Sequence, residues 1–230
     1  LQAALTLARA QEDRVLEGKS FAFSACWIRG EAHSHKGERV SNGRFRSSVR
    51  TAIGKQANAS AQSAIAMGDT SVASGTASTA VGNTAAASGA NASSFGSGAK
   101  ATGDNSLAAG VSANAGGLDS TALGIGTVAS ADNSTAVGRE ARATGLNSTA
   151  LGRGAQSSAV NSISLGAGTR ATGIGAVYVG SSTFATSASG DNAIGIGTDV
   201  TASEDDAIAM GRDSQATATN AVAVGYNPLR

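Results

Sequence analysis

From about residue 51 onward, large apolar and small side chains alternate in short bursts, and each burst ends on a glycine. The glycines are Gly54, Gly68, Gly82, Gly96, Gly110, Gly124, Gly138, Gly152, Gly166 and Gly180, each 14 residues after the last. One step of 17 leads to Gly197, and steps of 14 then reach Gly211 and Gly225. Counted from each glycine, position −1 is bulky in every repeat but one, as in Met67, Phe95, Leu123 and Val137. Position −3 is Ile, Leu, Val, Thr or Ser, and positions −2 and −4 are nearly all Ala or Ser. Such alternation, rich in β-branched residues, predicts a short strand with −3 and −1 on one face and −4 and −2 on the other.

The other half of the repeat predicts a second strand. Position +5 is almost always Ala, and +6 is almost always Ser or Thr. Two turns close the unit. The periodic glycine suits one, because positive φ carries no side-chain penalty there. Asn or Asp at +9, as in Asn105, Asn133, Asn147 and Asn161, suits the other, because these side chains tolerate the left-handed region. The unit therefore reads strand, Gly turn, strand, Asn turn.

A short fixed period means that each repeat stacks on its neighbour. The expectation is an all-β parallel solenoid of 14-residue rungs. Twelve steps at about 4.8 Å make a rod of roughly 58 Å. The large residues of the first strand are expected to face the Ala and Gly of the second inside a thin core. Thr51, Thr79, Thr121, Thr135 and Thr149 at −3 then need buried partners. A roll this thin is marginal alone. Either its Ala/Ser face or its Thr-bearing face is expected to pack against identical chains. The 17-residue step reads as a three-residue loop insertion within 181–192.

Composition agrees with a small-residue solenoid: 31 of 230 residues are Gly and only 3% are aromatic. The formal net charge of +1 gives no general pull toward nucleic acid or membrane. No apolar run is long enough for a transmembrane helix. Arg9 interrupts the opening apolar stretch, so no signal peptide is read there. The chain opens on Leu1 and reads as a piece of something longer.

Residues 1–50 lack the period and form a separate non-repeat segment, disordered or with a short helix near 3–16. Residues 51–230 form the roll. The early segment holds Cys26, His33 and His35, three residues that fall short of a convincing metal set. No catalytic motif, metal site or cofactor site is read anywhere, and the chain is not expected to be an enzyme. Hexapeptide-repeat acyltransferases, which form similar solenoids, have a period of six and need a catalytic His that these repeats lack.

Lys100, Arg139, Arg142, Arg153 and Arg170 recur at +1 and +4, and are read as a basic surface stripe for acidic ligands. Asp199, Glu204, Asp205, Asp206 and Asp213 cluster near the C-terminal end, without a calcium-loop spacing.

The recurring NSTAVG (133–138), NSTALG (147–152), NSISLG (161–166), DSTALG (119–124) and NAVAVG (220–225) resemble the head repeat of YadA-like trimeric autotransporter adhesins. The resemblance covers about residues 51–225. It implies a left-handed parallel β-roll assembled as a homotrimer at the tip of a surface fibre. It further implies exposure on a bacterial outer membrane and adhesion to host extracellular-matrix proteins or cell-surface glycans. Autoaggregation and a role in virulence are part of the same implication. Attachment to the membrane would come only through a C-terminal anchor, which does not lie within these residues. The alternative reading is a non-adhesive structural or ice-binding solenoid. The mixed Ser/Thr row at +6 falls short of the two regular threonine ranks that ice binding requires.

Overall fold

The computed structural model describes residues 49–183 and 186–226. The non-repeat segment, with the short helix expected near 3–16 and its Cys and His residues, lies outside the described residues except at its last two positions.

Every repeat contributes one strand, of three residues except for the five-residue Val177–Ser181 and Ile194–Thr198, to a 13-stranded parallel sheet that begins with Thr51–Ile53 and ends with Val222–Val224. A second strand of two residues, at +4 and +5, builds the opposite wall. That wall has nine strands from Asn58–Ala59 to Arg170–Ala171, then a pair formed by Thr201–Ala202 and Gln215–Ala216. Each residue lies over its counterpart in the next repeat, as Thr135 over Thr149 and Val137 over Leu151. The rungs are joined by backbone bonds such as Thr79 N–H to Ala92 O (2.8 Å) and Gly82 N–H to Met67 O (2.7 Å).

The expected sense of the two faces is reversed. Ala66, Ala80, Ala108, Ala122, Ala136 and Ala150 at −2 are fully buried, as are Ala73, Ala87, Ala101, Ala115, Ala129 and Ala143 at +5. The core is thus alanine facing alanine, with Ser or Ala at −4 and mostly Ala, Ser or Thr at +3. The bulky −1 and −3 residues point outward. The physical reason is room: each two-walled rung is closed by short turns at both ends, and only small side chains fit between walls so near. The threonines at −3 lie on this outer face, half-buried, so the partners expected for buried hydroxyls are not needed.

Both turns need left-handed backbone. Gly82 has φ 137°, and a Cβ there would press into the carbonyl oxygen of Gly96 one rung on. Asn105, Asn133, Asn147 and Asn161 have φ between 55° and 57°. Position +2, two residues past the glycine, is left-handed as well, at Thr84, Ser112 and Glu140 for example. Each rung therefore has two left-handed corners seven residues apart.

The 17-residue step interrupts this regularity. Val177 to Ser181 pairs with Ile194 to Thr198, a spacing of 17 in the first sheet. Ala171 bridges Ala188 and Ala188 bridges Ala202 in the second wall. The three extra residues therefore lie between Ser181 and Ala188, as a bulge at the Gly-turn corner. Beside it, Tyr178 takes the core position that Ala, Ser or Gly holds in other rungs, and it is fully buried. The alanine core is split just before the insertion. One cluster ends at Ala155 and the next begins at Ala171. Between them lie four fully buried hydroxyl residues, Ser157, Ser162, Ser164 and Thr169. Each donates to a carbonyl or to a neighbouring hydroxyl, at 2.6–2.9 Å.

Candidate binding surfaces

Four surfaces run the length of the roll, and each follows from one set of repeat positions. The outer face of the 13-stranded sheet carries the −3 and −1 side chains. Phe95 is 42% exposed and Leu151 43%, with Ile65, Met67, Val179, Ile196 and Met210 close to these values. Large apolar rows this long are uncommon on the surface of a monomer.

The outer face of the second wall carries +4 and +6. Its +4 row runs Lys100, Asn114, Val128, Arg142, Gln156 and Arg170. Lys100 and Arg142 are exposed and Arg170 is half-buried. Three rungs separate Lys100 from Arg142 and two separate Arg142 from Arg170, so neutral residues lie between the cations. Next to this row, +6 presents exposed hydroxyls such as Ser88, Thr102, Ser130 and Thr144.

Arg139 and Arg153 sit elsewhere, at +1 on the narrow edge formed by the Gly turns. The five basic residues therefore form two rows, one on a face and one on an edge. Arg139 pairs with neighbouring Glu140 at 3.2 Å, both side chains being well exposed. Val111 and Ile125 occupy the two rungs before Arg139 on the same edge, and both are exposed.

The opposite edge is built by the Asn turns. Side-chain amides bond rung to rung: Asn91 donates to Asn105 (3.1 Å), Asn105 to Asp119 (2.9 Å), Asn147 to Asn161 (3.1 Å) and Asn192 to Asp206 (3.2 Å). One position earlier, Asp104, Asp132, Asp191 and Asp205 accept the backbone N–H of Ala90, Leu118, Ile174 and Asp191. Asn and Asp here hold the corner and tie each rung to the next. Leu146, Val160 and Ile174 stand in three successive rungs of this edge, all exposed.

The acidic residues near the C-terminal end do not converge. Asp199 is nearly buried, and its carboxylate accepts the backbone N–H (2.6 Å) and hydroxyl (2.7 Å) of Thr183. It thereby anchors the inserted loop. Asp213 lies 4.0 Å from Arg212, whose guanidinium sits over the Tyr226 ring. Among the described residues no three His, Cys, Asp or Glu side chains come together as a metal site. Sequence reasoning missed the Tyr178 and Asp199 supports, although Tyr at an otherwise small position was a visible signal.

The YadA head domain repeat model matches this chain in nine segments, which together span 51–141, 143–169 and 188–227. The chain belongs to this family, and its roll is an adhesin-type head domain. The unmatched stretch 170–187 contains Tyr178 and the inserted loop. Among solved structures, the collagen-binding domain of the Yersinia adhesin YadA is similar, at 22% identity. That similarity covers 79% of this chain and 83% of the other, with a TM-score of 0.43. No curated protein sequence matches.

Proposed function

We propose that this roll is the head of a bacterial surface adhesin, working as a homotrimer that binds host extracellular matrix or cell surfaces through many weak contacts. The observation that carries the assembly is the outward apolar face on 13 stacked strands, beside a core made mostly of small residues. Burying that face between identical chains removes from water what the thin core cannot. Adhesion rests on family membership. A repeating surface on three chains, in many copies, gains avidity without a deep pocket.

Within this reading, Lys100, Arg142 and Arg170 are the cations offered to acidic glycans or acidic matrix segments. Arg142 and Arg170, two rungs or about 10 Å apart, suit anionic groups spaced along a chain rather than one compact anion. The test is a solid-phase panel of collagens, fibronectin, laminin and sulfated glycans, run with the full chain and with Lys100→Ala/Arg142→Ala/Arg170→Ala. Binding to at least one ligand, weakened by salt and by the triple variant, supports the reading. Absence of binding to every ligand and to host cells contradicts it.

A further inference from the structure

The two narrow edges of the roll carry matching patterns. Read toward the C-terminus, the Gly edge presents Val111, Ile125, Arg139 and Arg153 at +1 in four successive rungs. The Asn edge presents Val160, Ile174, Asp191 and Asp205, also in four successive rungs. The inserted loop does not disturb this order. Asn192 N–H still bonds Ile174 O at 2.7 Å, and Ile174 N–H bonds the Asp191 carboxylate at 2.8 Å. The four apolar residues are between 38% and 57% exposed.

We propose that these edges bind one another between two copies of the head, lying parallel and offset by three rungs. In that register Val111 meets Val160, Ile125 meets Ile174, Arg139 meets Asp191 and Arg153 meets Asp205. Extending the same offset places Lys55 opposite Asp104, although Asp69 and Ser97 then face Leu118 and Leu146, so the full match is confined to the four rungs from Val111 to Arg153. Other registers lose the match. With no offset, Ile125 faces Asp132 and Arg139 faces Leu146. With an offset of four, Ile125 faces Asp191. Reversing one copy with Val111 kept on Val160 sets Ile125 on Leu146 and Arg139 on Asp132, but leaves Arg153 against Leu118. The neighbouring corner residues also suit the three-rung register, with Gly126 opposite Gly175 and Glu140 opposite Asn192.

Both carboxylates are available to a partner cation. Asp191 and Asp205 each use Oδ1 on a backbone N–H, which leaves their negative charge uncancelled. Arg139 exchanges an exposed contact with Glu140, which is weak in water, for one flanked by apolar side chains.

The offset is about 14 Å, three strand spacings. A contact that advances along the rod cannot close into a ring, because cyclic symmetry keeps all copies level. It instead joins separate heads into open, staggered arrays. The contact is thus distinct from the trimer interface, and joins heads that point the same way but differ in height by three rungs. It rests on the adhesin-head reading only for that parallel display. One edge contact is small, and many in parallel hold fibres together.

The test is sedimentation velocity of the full chain across a concentration series, at low and at high salt. The expected result is reversible association beyond the basic oligomer at low salt, lost at high salt. Arg139→Glu/Arg153→Glu alone weakens it at least about tenfold, as does Asp191→Lys/Asp205→Lys alone, and mixing the two variants restores it. Asp191→Asn/Asp205→Asn keeps the rung bonds and removes the charge, so it weakens association even where the Lys pair disturbs the corner. Association that ignores all these changes overturns the proposal, and so does its absence from the wild-type chain at low salt. The mass at high salt reports the basic oligomer separately, so a failed trimer is distinguishable from a failed edge contact.

Discussion

The Tyr178 hydroxyl oxygen accepts the Val200 backbone N–H at 2.9 Å, across the one rung that holds a bulged corner. The same hydroxyl lies 3.3 Å from Ser181 O and 3.4 Å from Thr186 Oγ1. Val200 itself is fully buried, and Gly195 lies beside the Tyr178 ring one rung on. A large side chain with one polar tip here fills a core position that a small residue holds in the other rungs. Tyr178→Phe leaves the Val200 N–H unpaired in the core and is expected to cost ~1–3 kcal/mol. Tyr178→Ala opens a cavity as well and is expected to cost ~3–5 kcal/mol. Denaturant unfolding of the two variants checks the order, which a ring exposed to water would not produce.

Two glycines separate backbone strain from close approach. Gly82 has both positive φ and no room for a Cβ, whereas Gly154 has φ 68° and nothing within 4 Å. Gly154→Ala is expected to cost only ~1–2 kcal/mol, the price of a left-handed alanine. Gly82→Ala must also push the next rung away and is expected to leave the soluble fraction or melt far lower. Thermal melts by circular dichroism compare them directly.

Buried serines in similar places differ in their bonds. Ser134 Oγ donates to Ala131 O at 2.6 Å, whereas the fully buried Ser94 Oγ has no partner. Ser134→Ala is therefore expected to cost ~0.5–1.5 kcal/mol, and Ser94→Ala to be neutral or stabilising, since an unmet hydroxyl is itself a cost. Equal losses in both variants would show that Ser94 finds a partner in solution.

The belt of Ser157, Ser162, Ser164 and Thr169 divides the alanine core one rung before the second wall is interrupted. Contacts in a solenoid are nearest-neighbour, so a weak layer limits cooperativity. Hydrogen exchange is expected to show two protected blocks, residues 64–155 and 171–216, with faster exchange between them. Uniform protection along the rod would contradict this.

Much of the fold is legible in the sequence because the turns are chemically demanding. Only Gly suits the corner at Gly82, and Asn or Asp favours the corner at Asn147, so the period and the order strand, turn, strand, turn are readable directly. Which face is inside is not readable that way. Alternation of Val137 and Ala136 marks two faces without saying which is buried, and the habit of placing large residues inside fails in a rung too thin for them. Tyr178 was visible as an exception at its position, but its role depends on Val200 and Gly195, which only the rung stacking brings near. The basic residues were recognisable as recurring, yet Arg139 and Arg142 are separated by the corner between an edge and a face.

An outward apolar face next to an alanine core demands a cover. Val137→Asp places a charge in the middle of that face and is expected to dissociate the oligomer while leaving Lys100 and its neighbours untouched. The most direct measurement is the mass of the unmodified chain by sedimentation equilibrium at high salt, where edge contacts are screened. The account expects three times the 22.2 kDa chain, with loss of that species in Val137→Asp. A stable, folded monomer at micromolar concentration would contradict it.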